Sequence, residues 1–364
     1  MSKQEKHKKV YVGLSGGVDS SVSLALLKEQ GFDVVGVFIK IWEPDFLDCT
    51  WKSDRLDAMR VASALEVPFK TIDLSDVYKK EVVDYMIREY KAGRTPNPDV
   101  FCNKKIKFGA FLAWAKRDGA HYVATGHYAK CAVAIEGGKK RFVLKASTDQ
   151  EKDQTYFLWQ LSQDELRSTL FPIGDMKKSE VRKKAQNLNL FTAKKKDSQG
   201  LCFVGKVAMK DFLKTFITTS PGEVCNESGE VIGWHEGAEL YTLGERHGFT
   251  ITKKTPSDKP YYVINKNLDA NRIMVSSLPK KKEERTSSFL IESVNWISGI
   301  PPQDGYQSLA RIRYRAPLVS STIYFKDSTT TVSLRSSEIA LPTPGQSIVF
   351  YTDTGECLGG GIIA

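Results

Sequence analysis

The sequence predicts an α/β fold: an N-terminal doubly wound parallel sheet, then a small β-rich central domain, then a C-terminal β-barrel-like domain. In the N-terminal part, strand-like runs at 10–14, 32–41, 69–74 and 121–125 alternate with helical patterns. After Pro221 helical periodicity nearly disappears, and short β-rich runs are separated by Gly, Pro and polar residues. We expect the three domains to span residues 1–217, 218–280 and 281–364.

The N-terminal part can be divided further. Apolar residues at helical spacing predict helices that follow the Gly-rich turn near residue 17 and cover 54–66, 77–91, 108–117, 179–190 and 207–217. Ser179 is the expected N-cap of the helix at 179–190. Residues 131–147 predict two strands around a Gly-Gly turn, inserted after the sheet.

Composition limits the class of protein. The 364 residues have a formal net charge of +10. Such a charge suits a polyanionic partner, but a basic surface can also serve only to keep a protein soluble. The chain contains no run near the about 20 apolar residues that span a bilayer, so we expect no membrane partner and a cytoplasmic setting. None of the six cysteines form a C-x-x-C pair, so we expect no zinc site and no iron-sulfur cluster.

The segment SGGVDS at 15–20 lies where the first strand passes into a helix. Free amides at a helix start, next to two glycines, favour phosphate, and Ser15 and Ser20 add hydroxyl donors. Asp19 suits a phosphate site if it helps to hold Mg²⁺ or positions a reacting group. The lysine of a Walker A loop is missing, and a Gly-Gly turn before a helix is often only structural.

Two isolated cysteines lie in unusual surroundings. TPNPDVFCNKKIKF at 95–108 is a proline-stiffened basic loop, in which one helical turn would place Asp99 beside Cys102. Lys104, Lys105 and Lys107 would favour the Cys102 thiolate if they lie near it. DSQGLCFVG at 197–205 contains Cys202. Each cysteine alone is more simply a buried thiol, but two of them beside a nucleotide loop require a joint explanation.

SGGVDS resembles the signature of the PP-loop ATP pyrophosphatases, which have a Rossmann-like sheet and cleave ATP between its α- and β-phosphates. Further motifs resemble the tRNA-specific 2-thiouridylases within that superfamily, in the order of that family and over nearly the whole chain. These motifs are TPNPD-x-x-CN (95–103), GHYA (126–129), KDQTYFL (152–158), DSQ-x-x-CFVG (197–205), RYR (313–315), PGQ (344–346) and CLGGG (357–361).

The resemblance implies thiolation of the wobble uridine of tRNA. Oxygen on carbon 2 of the uracil attacks the α-phosphate of ATP, pyrophosphate leaves, and a persulfide then replaces the adenylated oxygen while AMP departs. Cys202 would hold the persulfide and Cys102 would be the second catalytic thiol, leaving a transient disulfide between them. Asp99 would assist proton transfer. The implied partners are the tRNAs for Lys, Glu and Gln and an upstream persulfide donor protein.

The resemblance also implies the binding residues. ATP, with Mg²⁺, would contact Gly13, Leu14, Ser15, Gly16, Gly17, Val18, Asp19, Ser20, Ile39 and Gly126. The tRNA would contact Asn97, Pro98, Asp99, His127, Lys152, Asp153, Gln154, Arg313, Tyr314, Arg315 and Gln346. Arg313 and Arg315 around Tyr314 suit phosphate contact and base stacking, although alternating Arg on a strand also marks a solvent face.

Two positions depart from the pattern of the family. Ile39 stands where Met is common, and Glu245 in TLGER replaces a common Gln. Three other functions remain: a PP-loop enzyme that adenylates a small molecule, a tRNA thiolase that acts elsewhere on tRNA, and a tRNA-binding module without catalysis. The last predicts that Cys102 and Cys202 are dispensable.

Overall fold

A computed structural model describes residues 7–46, 51–196, 209–252, 259–277, 285–336 and 342–364. The strands of the N-terminal part are β1 (Lys9–Gly13), β2 (Asp33–Lys40), β3 (Phe69–Asp73), β4 (Tyr122–Ala124), β5 (Lys130–Glu136), β6 (Lys139–Lys145) and β7 (Thr169–Leu170). The helices are α1 (Val18–Glu29), α2 (Trp51–Ala64), α3 (Ser75–Tyr78), α4 (Asp84–Lys91), α5 (Pro98–Phe101), α6 (Phe111–Arg117), α7 (Gln163–Arg167), α8 (Lys178–Asn187) and α9 (Met209–Lys214).

Shorter helical segments complete these elements. π-helical turns at Lys79–Val83 and Cys102–Ala110 join α3 to α4 and α5 to α6, so each pair forms one continuous rod. Short 3₁₀ turns occur at Thr155–Phe157, Phe191–Lys194 and Ala238–Leu240.

The first sheet is parallel and has the order β3-β2-β1-β4-β7 among the described residues. Alternate residues of β1 enter different cores, which explains why the sheet is doubly wound. Val10 and Val12 pack with α1 and α2, whereas Tyr11 packs with the rods of α4 and α6. The predicted parallel sheet is confirmed, and β4 lies directly beside β1, where a ligand crevice forms at the carboxyl edge.

The C-terminal domain is a closed antiparallel barrel. Its strands are β13 (Arg285–Trp296), β14 (Tyr306–Arg311), β15 (Val319–Lys326), β16 (Thr329–Ser336), β17 (Ser347–Tyr351) and β18 (Glu356–Ile363). They pair in the order β13-β16-β15-β14-β17-β18, and β13 pairs with β18 to close the barrel. The inserted hairpin β5–β6 extends from β18, so a segment of the N-terminal part joins the barrel's sheet.

The central domain is a smaller sheet. Its strands are β8 (Gly222–Cys225), β9 (Val231–His235), β10 (Thr250–Ile251), β11 (Tyr262–Asn267) and β12 (Arg272–Ser276), in the order β10-β9-β8-β12-β11. The predicted β-rich centre and C-terminal barrel are therefore confirmed.

Two local predictions were wrong. Helix α8 begins at Lys178 with Lys177 at the N-cap, because the Glu180 carboxylate accepts the Lys177 amide; Ser179 lies inside the first turn. The predicted loop at 95–108 ends at Asn97. The Asn97 side chain accepts the Asp99 amide at 3.2 Å and Pro98 occupies the first helical turn, so the chain is helical from Pro98 onward.

Candidate functional site: a nucleotide loop beside a carboxylate and a thiol

The SGGVDS loop follows β1 at the carboxyl edge of the parallel sheet. Gly17 occupies the N-cap of α1 and has no side chain to cap the first-turn amides. The hydroxyls of Ser15 and Ser20 lie 3.3 Å apart, and Ser15 is exposed. Helix α1 has 12 residues, so its amino end combines free N–H groups with the positive end of the helix dipole. This loop fits a phosphate group.

Gly126 lies against this loop. A Cβ atom at Gly126 would lie 2.7 Å from the Ser20 amide nitrogen and 2.8 Å from the Asp19 carbonyl carbon. The predicted reason for this glycine was contact with a nucleotide, but the loop's own backbone already requires it. Gly126 therefore positions the phosphate loop against the end of β4.

The remaining predicted nucleotide residues surround this edge. Leu14 is buried and its amide donates to the Val37 carbonyl at 2.8 Å, which fixes the loop to β2. A Cβ at Gly13 would lie 3.9 Å from Ile39 Cδ1, so Ile39 covers the end of β1. Gly16 has φ +71° and lies against Asp54 and Asp57 of α2, and Val18 is buried under the loop.

Asp19 is held by two side chains from other elements. Lys178 Nζ lies 2.8 Å from both Asp19 carboxylate oxygens, and the Tyr128 hydroxyl donates to Oδ1 at 2.9 Å. Lys178 therefore places a positive charge beside a loop that lacks a Walker lysine. Asp19 offers a hard oxygen ligand, as Mg²⁺ prefers, and would be available to it once Lys178 turns to the phosphates.

The second half of the site is the helical turn α5. Asp99 and Cys102 are three residues apart, and the Cys102 amide donates to the Asp99 carbonyl. The helical turn predicted to bring them together is therefore present. Cys102 is buried, with 4% of its surface exposed, and it begins a π-helical segment, a type of distortion common at functional sites.

The charge of Lys107 acts on this helical turn. Burial raises the pKa of Asp99, and the nearby Lys107 partly opposes that rise. Burial, with a smaller contribution from Lys107, holds the pKa of His127 well below its usual value, so the ring is neutral. Lys107 thus lies near both the Asp99 turn and the segment after β4.

The other two lysines predicted to assist Cys102 are engaged elsewhere. Lys104 Nζ binds the Glu165 carboxylate at 2.8 Å, and Lys105 lies 3.4 Å from Glu81. Both ion pairs turn these charges toward neighbouring helices.

Several residues predicted to bind tRNA are buried. His127 is 7% exposed; its Nδ1 hydrogen-bonds with Thr125 Oγ1 at 2.7 Å, and its ring packs on Phe108 and Phe171. Asp153 is 4% exposed and accepts hydrogen bonds from the Ser147 amide and the Thr155 hydroxyl. In this conformation His127 and Asp153 stabilise the fold and present little surface to RNA.

Gln154 and Asn97 also have partners within the protein. The Gln154 side chain accepts the Tyr128 amide at 3.0 Å, which links the KDQ segment to the tyrosine that holds Asp19. Asn97 Oδ1 accepts the Asp99 amide, and its side chain lies near the hydroxyl of buried Tyr156, which donates to the Ser347 carbonyl at 2.8 Å. Pro98 is buried at the start of α5.

The RYR motif follows β14 in a turn, so its arginines do not alternate along a strand. Arg313 is half-buried and donates to the Leu243 carbonyl and the Thr343 hydroxyl, both at 2.8 Å. Tyr314 packs against Phe157 with ring centroids 4.4 Å apart. Arg315 is exposed, with its guanidinium 5.1 Å from the Tyr314 ring centroid.

An open cavity of about 540 Å³ brings together three predicted tRNA residues, Lys152, Asp153 and Arg315. Arg311 adds a third cation, and Glu151 and Asp153 add carboxylates. Lys152 and Arg315 are therefore the predicted RNA contacts that the structure leaves at an accessible surface together. Gln346 instead faces the backbone before α5.

Sequence reasoning missed Lys178 and Tyr128, and it did not separate Lys107 from its neighbours. The basic stretch 177–184 is equally typical of a solvated helix face, and only the packing of α8 against α1 singles out Lys178. Cys202 lies outside the described residues, so its position relative to Cys102 stays a prediction.

A helix start that suits phosphate at the carboxyl edge of a doubly wound sheet, linked through Gly126, His127 and Phe108 to a helical segment with a carboxylate and a thiol, is typical of a nucleotide-using α/β enzyme. Three family models match in succession: the tRNA methyl transferase HUP domain over residues 8–206, the tRNA methyl transferase PRC-barrel domain over 210–277, and the aminomethyltransferase beta-barrel domain over 286–363.

Curated relatives give the particular family. The chain is 44% identical over 357 residues to a tRNA-specific 2-thiouridylase of Lacticaseibacillus paracasei, covering 98% of this chain and 94% of the relative. It is 43% identical over 363 residues to the tRNA-specific 2-thiouridylase of Francisella tularensis subsp. novicida, covering 98% and 99%. The chain belongs to the tRNA-specific 2-thiouridylase family.

Among solved structures, the U34-tRNA thiolase NcsA from Methanococcus maripaludis, with its [4Fe-4S] cluster, matches with a TM-score of 0.37 and 18% identity. That match covers 56% of this chain and 64% of the other, and it supports no inference about this chain. Within the described ranges, no group of three or more His, Cys, Asp or Glu side chains is placed to hold a metal ion. No helix in the part of the chain that the structure describes is long and apolar enough to cross a membrane.

Proposed function

We propose that this enzyme uses ATP to convert the wobble uridine of tRNA into 2-thiouridine, with Cys202 as the persulfide carrier and Cys102 as the second catalytic thiol. The observation that supports this most is a series of contacts that links the SGGVDS loop to the helical segment of Asp99 and Cys102. The phosphate loop contacts Gly126, and the next residue, His127, packs on Phe108, six residues after Cys102. ATP bound at α1 and a base held at α5 would therefore share one edge of the sheet.

The first step is adenylation of the uracil. Oxygen 2 of the uracil attacks the α-phosphorus of ATP, the bond to the bridging oxygen breaks, and pyrophosphate leaves with its electron pair. The proton on uracil N3 must also be lost. Asp99 is the group proposed to accept it, because a carboxylate whose pKa is raised by burial is a stronger base than an exposed one.

The α1 amides, the Ser15 and Ser20 hydroxyls and Lys178 would bind the phosphates and stabilise the negative charge of the leaving group. Mg²⁺, when bound with ATP, neutralises part of that charge, and Asp19 is the carboxylate in this loop with oxygen atoms to offer it.

The second step replaces the activated oxygen by sulfur. The terminal sulfur of a Cys202 persulfide attacks carbon 2, and AMP leaves with the electrons of the carbon–oxygen bond. The Cys102 thiolate then attacks the Cys202 sulfur, the sulfur–sulfur bond breaks toward the base, and thiouridine is released. A Cys102–Cys202 disulfide remains, and an external thiol reductant must reduce it before the next turnover.

The proposed partners follow from these steps. The substrate is a tRNA whose wobble base leaves its stack to enter the site, which an anticodon loop permits at low cost. The tRNAs for Lys, Glu and Gln are the proposed set, and an upstream protein persulfide is the proposed sulfur source. Lys152 and Arg315 at the open cavity are the proposed contacts to tRNA phosphates.

Nucleoside analysis of tRNA from cells that rely on one variant tests the proposal. We expect 2-thiouridine derivatives with wild type and with Cys131→Ser, and their near loss with Cys102→Ser and Cys202→Ser. Cys131 is a matched control because it lies on the hairpin strand β5, and burial raises the pKa of its thiol to about 11.

The outcomes separate the alternatives. Normal thiolation in Cys202→Ser cells would refute the persulfide mechanism. Loss of thiolation at another tRNA position, with the wobble base unchanged, would favour a different tRNA thiolase. Release of pyrophosphate from ATP by purified protein with a small amide substrate, but not with tRNA, would favour a small-molecule adenylating enzyme.

A further inference from the structure

The turn Pro344–Gln346 of the barrel is hydrogen-bonded to the segment just before α5. Gln346 Nε2 donates to the Thr95 carbonyl at 2.7 Å and lies 3.3 Å from the Pro96 carbonyl. In the reverse direction, the Thr95 amide donates to the Pro344 carbonyl at 2.8 Å. These contacts join residues about 250 positions apart in sequence.

The Pro344–Gln346 turn is itself hydrogen-bonded to strand β18 of the barrel. The Gly345 amide donates to the Ile363 carbonyl, and the Ile363 amide donates back to the Gln346 carbonyl. Gly345 has φ +89°, and a Cβ there would lie 2.8 Å from the Thr95 amide nitrogen. Only glycine both adopts this conformation without strain and permits so close an approach.

The central domain meets the same segment. The Thr95 hydroxyl hydrogen-bonds with the Thr242 hydroxyl at 3.1 Å, and Thr95 is 7% exposed. Arg313 bridges the Leu243 carbonyl of the central domain to the Thr343 hydroxyl of the barrel. Burial lowers the pKa of Arg313, which fits a cation withdrawn from solvent to join two domains.

This junction lies immediately before the reacting groups. Thr95 and Pro96 precede Asn97, the N-cap of α5, and Asp99 and Cys102 follow within two helical turns. A change in the backbone at 95–96 would therefore be transmitted to both side chains, because Pro96 and Pro98 leave the connecting backbone little freedom.

From this geometry we propose that Gln346 is a positioning residue for the reaction: it holds the barrel against the backbone at 95–96 and so fixes Asp99 and Cys102. The role in catalysis rests on the proposed function, whereas the effect on the Cys102 turn does not. Gln346 donates its amide to protein carbonyls here, so its contribution is to the reaction geometry more than to tRNA affinity.

The test compares wild type with Gln346→Met, which keeps the length and volume of the side chain but removes the donor, and with Gln346→Ala. Gln307→Ala, an exposed glutamine on β14 of the same barrel, is the matched control. Circular dichroism establishes that each variant is folded. Alkylation of Cys102 by a maleimide, followed by peptide mass spectrometry, measures how often the turn opens.

Losing a hydrogen bond and leaving carbonyls without a donor is expected to raise the Cys102 alkylation rate about ten-fold in both Gln346 variants, with Gln307→Ala unchanged. Backbone hydrogen exchange over residues 94–103 is expected to rise in parallel. With tRNA present, the thiolation rate constant should fall about ten-fold while the tRNA dissociation constant stays within about three-fold.

Unchanged alkylation and hydrogen exchange in Gln346→Met would overturn the positioning role, whatever happens to activity. A weakened tRNA affinity with an unchanged rate constant would identify Gln346 as a direct RNA contact and would also overturn it. Failure of the proposed function is distinguishable, because wild type would then show no tRNA thiolation while the alkylation difference persisted.

Discussion

Lys178 offers the sharpest test of the nucleotide site, because it lies on α8 and not in the SGGVDS loop or in α1. Its ammonium group lies 2.8 Å from both oxygens of Asp19, and its side chain is only 13% exposed. If the Lys178 ammonium group moves from Asp19 to the phosphates when Mg²⁺ and ATP bind, Lys178→Ala will weaken the binding of ligands that carry a β-phosphate.

The magnitude follows from two opposing contributions. A hydrogen bond to a charged group contributes about 1.5–3 kcal/mol. Breaking the ion pair between Lys178 and Asp19 costs about 0–1 kcal/mol, the usual value of a partly exposed ion pair. The net of about 0.5–3 kcal/mol corresponds to about a two- to 150-fold increase in the dissociation constants of ATP and pyrophosphate, with AMP affected less than about two-fold.

Isothermal titration calorimetry with ATP, pyrophosphate and AMP measures this difference directly and does not require turnover. Lys184→Ala is the control, because Lys184 lies on the same helix and pairs with Glu29 at 2.8 Å. Equal weakening of AMP and ATP, or an effect of Lys184→Ala as large as that of Lys178→Ala, would refute a specific phosphate contact. Lys178 would then merely neutralise Asp19.

Three further predictions follow from single contacts. Gly126→Ala places a Cβ 2.7 Å from the Ser20 amide nitrogen. We therefore expect ATP affinity to fall, and the free energy of unfolding to drop by about 1–3 kcal/mol in urea titrations. An unchanged ATP affinity would show that the loop tolerates displacement. Burial raises the pKa of Asp99 above its ordinary value of 3.8, so wild type loses stability relative to Asp99→Asn as the pH rises through the folded-state pKa. Urea titrations of both proteins in acid and near neutrality measure this, with Asp164→Asn in α7 as the control; a constant difference across that range would contradict it. Glu245 pairs with Lys210 at 2.7 Å, and its carboxylate accepts the Thr242 amide at 3.0 Å. Glu245→Gln, which restores the residue common in the family, should therefore lower the free energy of unfolding by at most about 1 kcal/mol and leave thiolation intact. A loss of thiolation would give Glu245 a direct role.

The sequence was sufficient for features that depend on local chemistry or on strand order. SGGVDS predicts a phosphate-binding helix start, and alternation of strands and helices predicts the parallel sheet that places it at a carboxyl edge. The side-by-side arrangement of Asp99 and Cys102 follows from a single helical turn, which Asn97 and Pro98 initiate. Each of these predictions needs only neighbours within a few residues or a general rule of topology.

Contacts between distant segments could not be predicted in the same way. Nothing near Lys178 in the sequence distinguishes it from Lys177, because both are polar residues at the start of a basic helix. The helical register of α8 and its packing against α1 decide which ammonium group reaches Asp19, 159 residues away. His127 is a similar case, since GHYA fits an exposed turn as well as the buried ring found between Phe108 and Phe171.

The motifs that connect this chain to its family therefore fall into two physical groups. Asp153, Gln154, Arg313 and Gln346 have hydrogen-bond partners inside the protein, and those partners join the phosphate loop, the Asp99 turn and the barrel. Lys152 and Arg315 line an open cavity, which Asp153 also borders. Under the proposed function, substitutions in both groups are expected to reduce thiolation, so activity alone does not separate an RNA contact from a structural support. Salt dependence does: removing a phosphate contact lowers the slope of tRNA affinity against salt, whereas loosening an internal hydrogen bond leaves that slope unchanged.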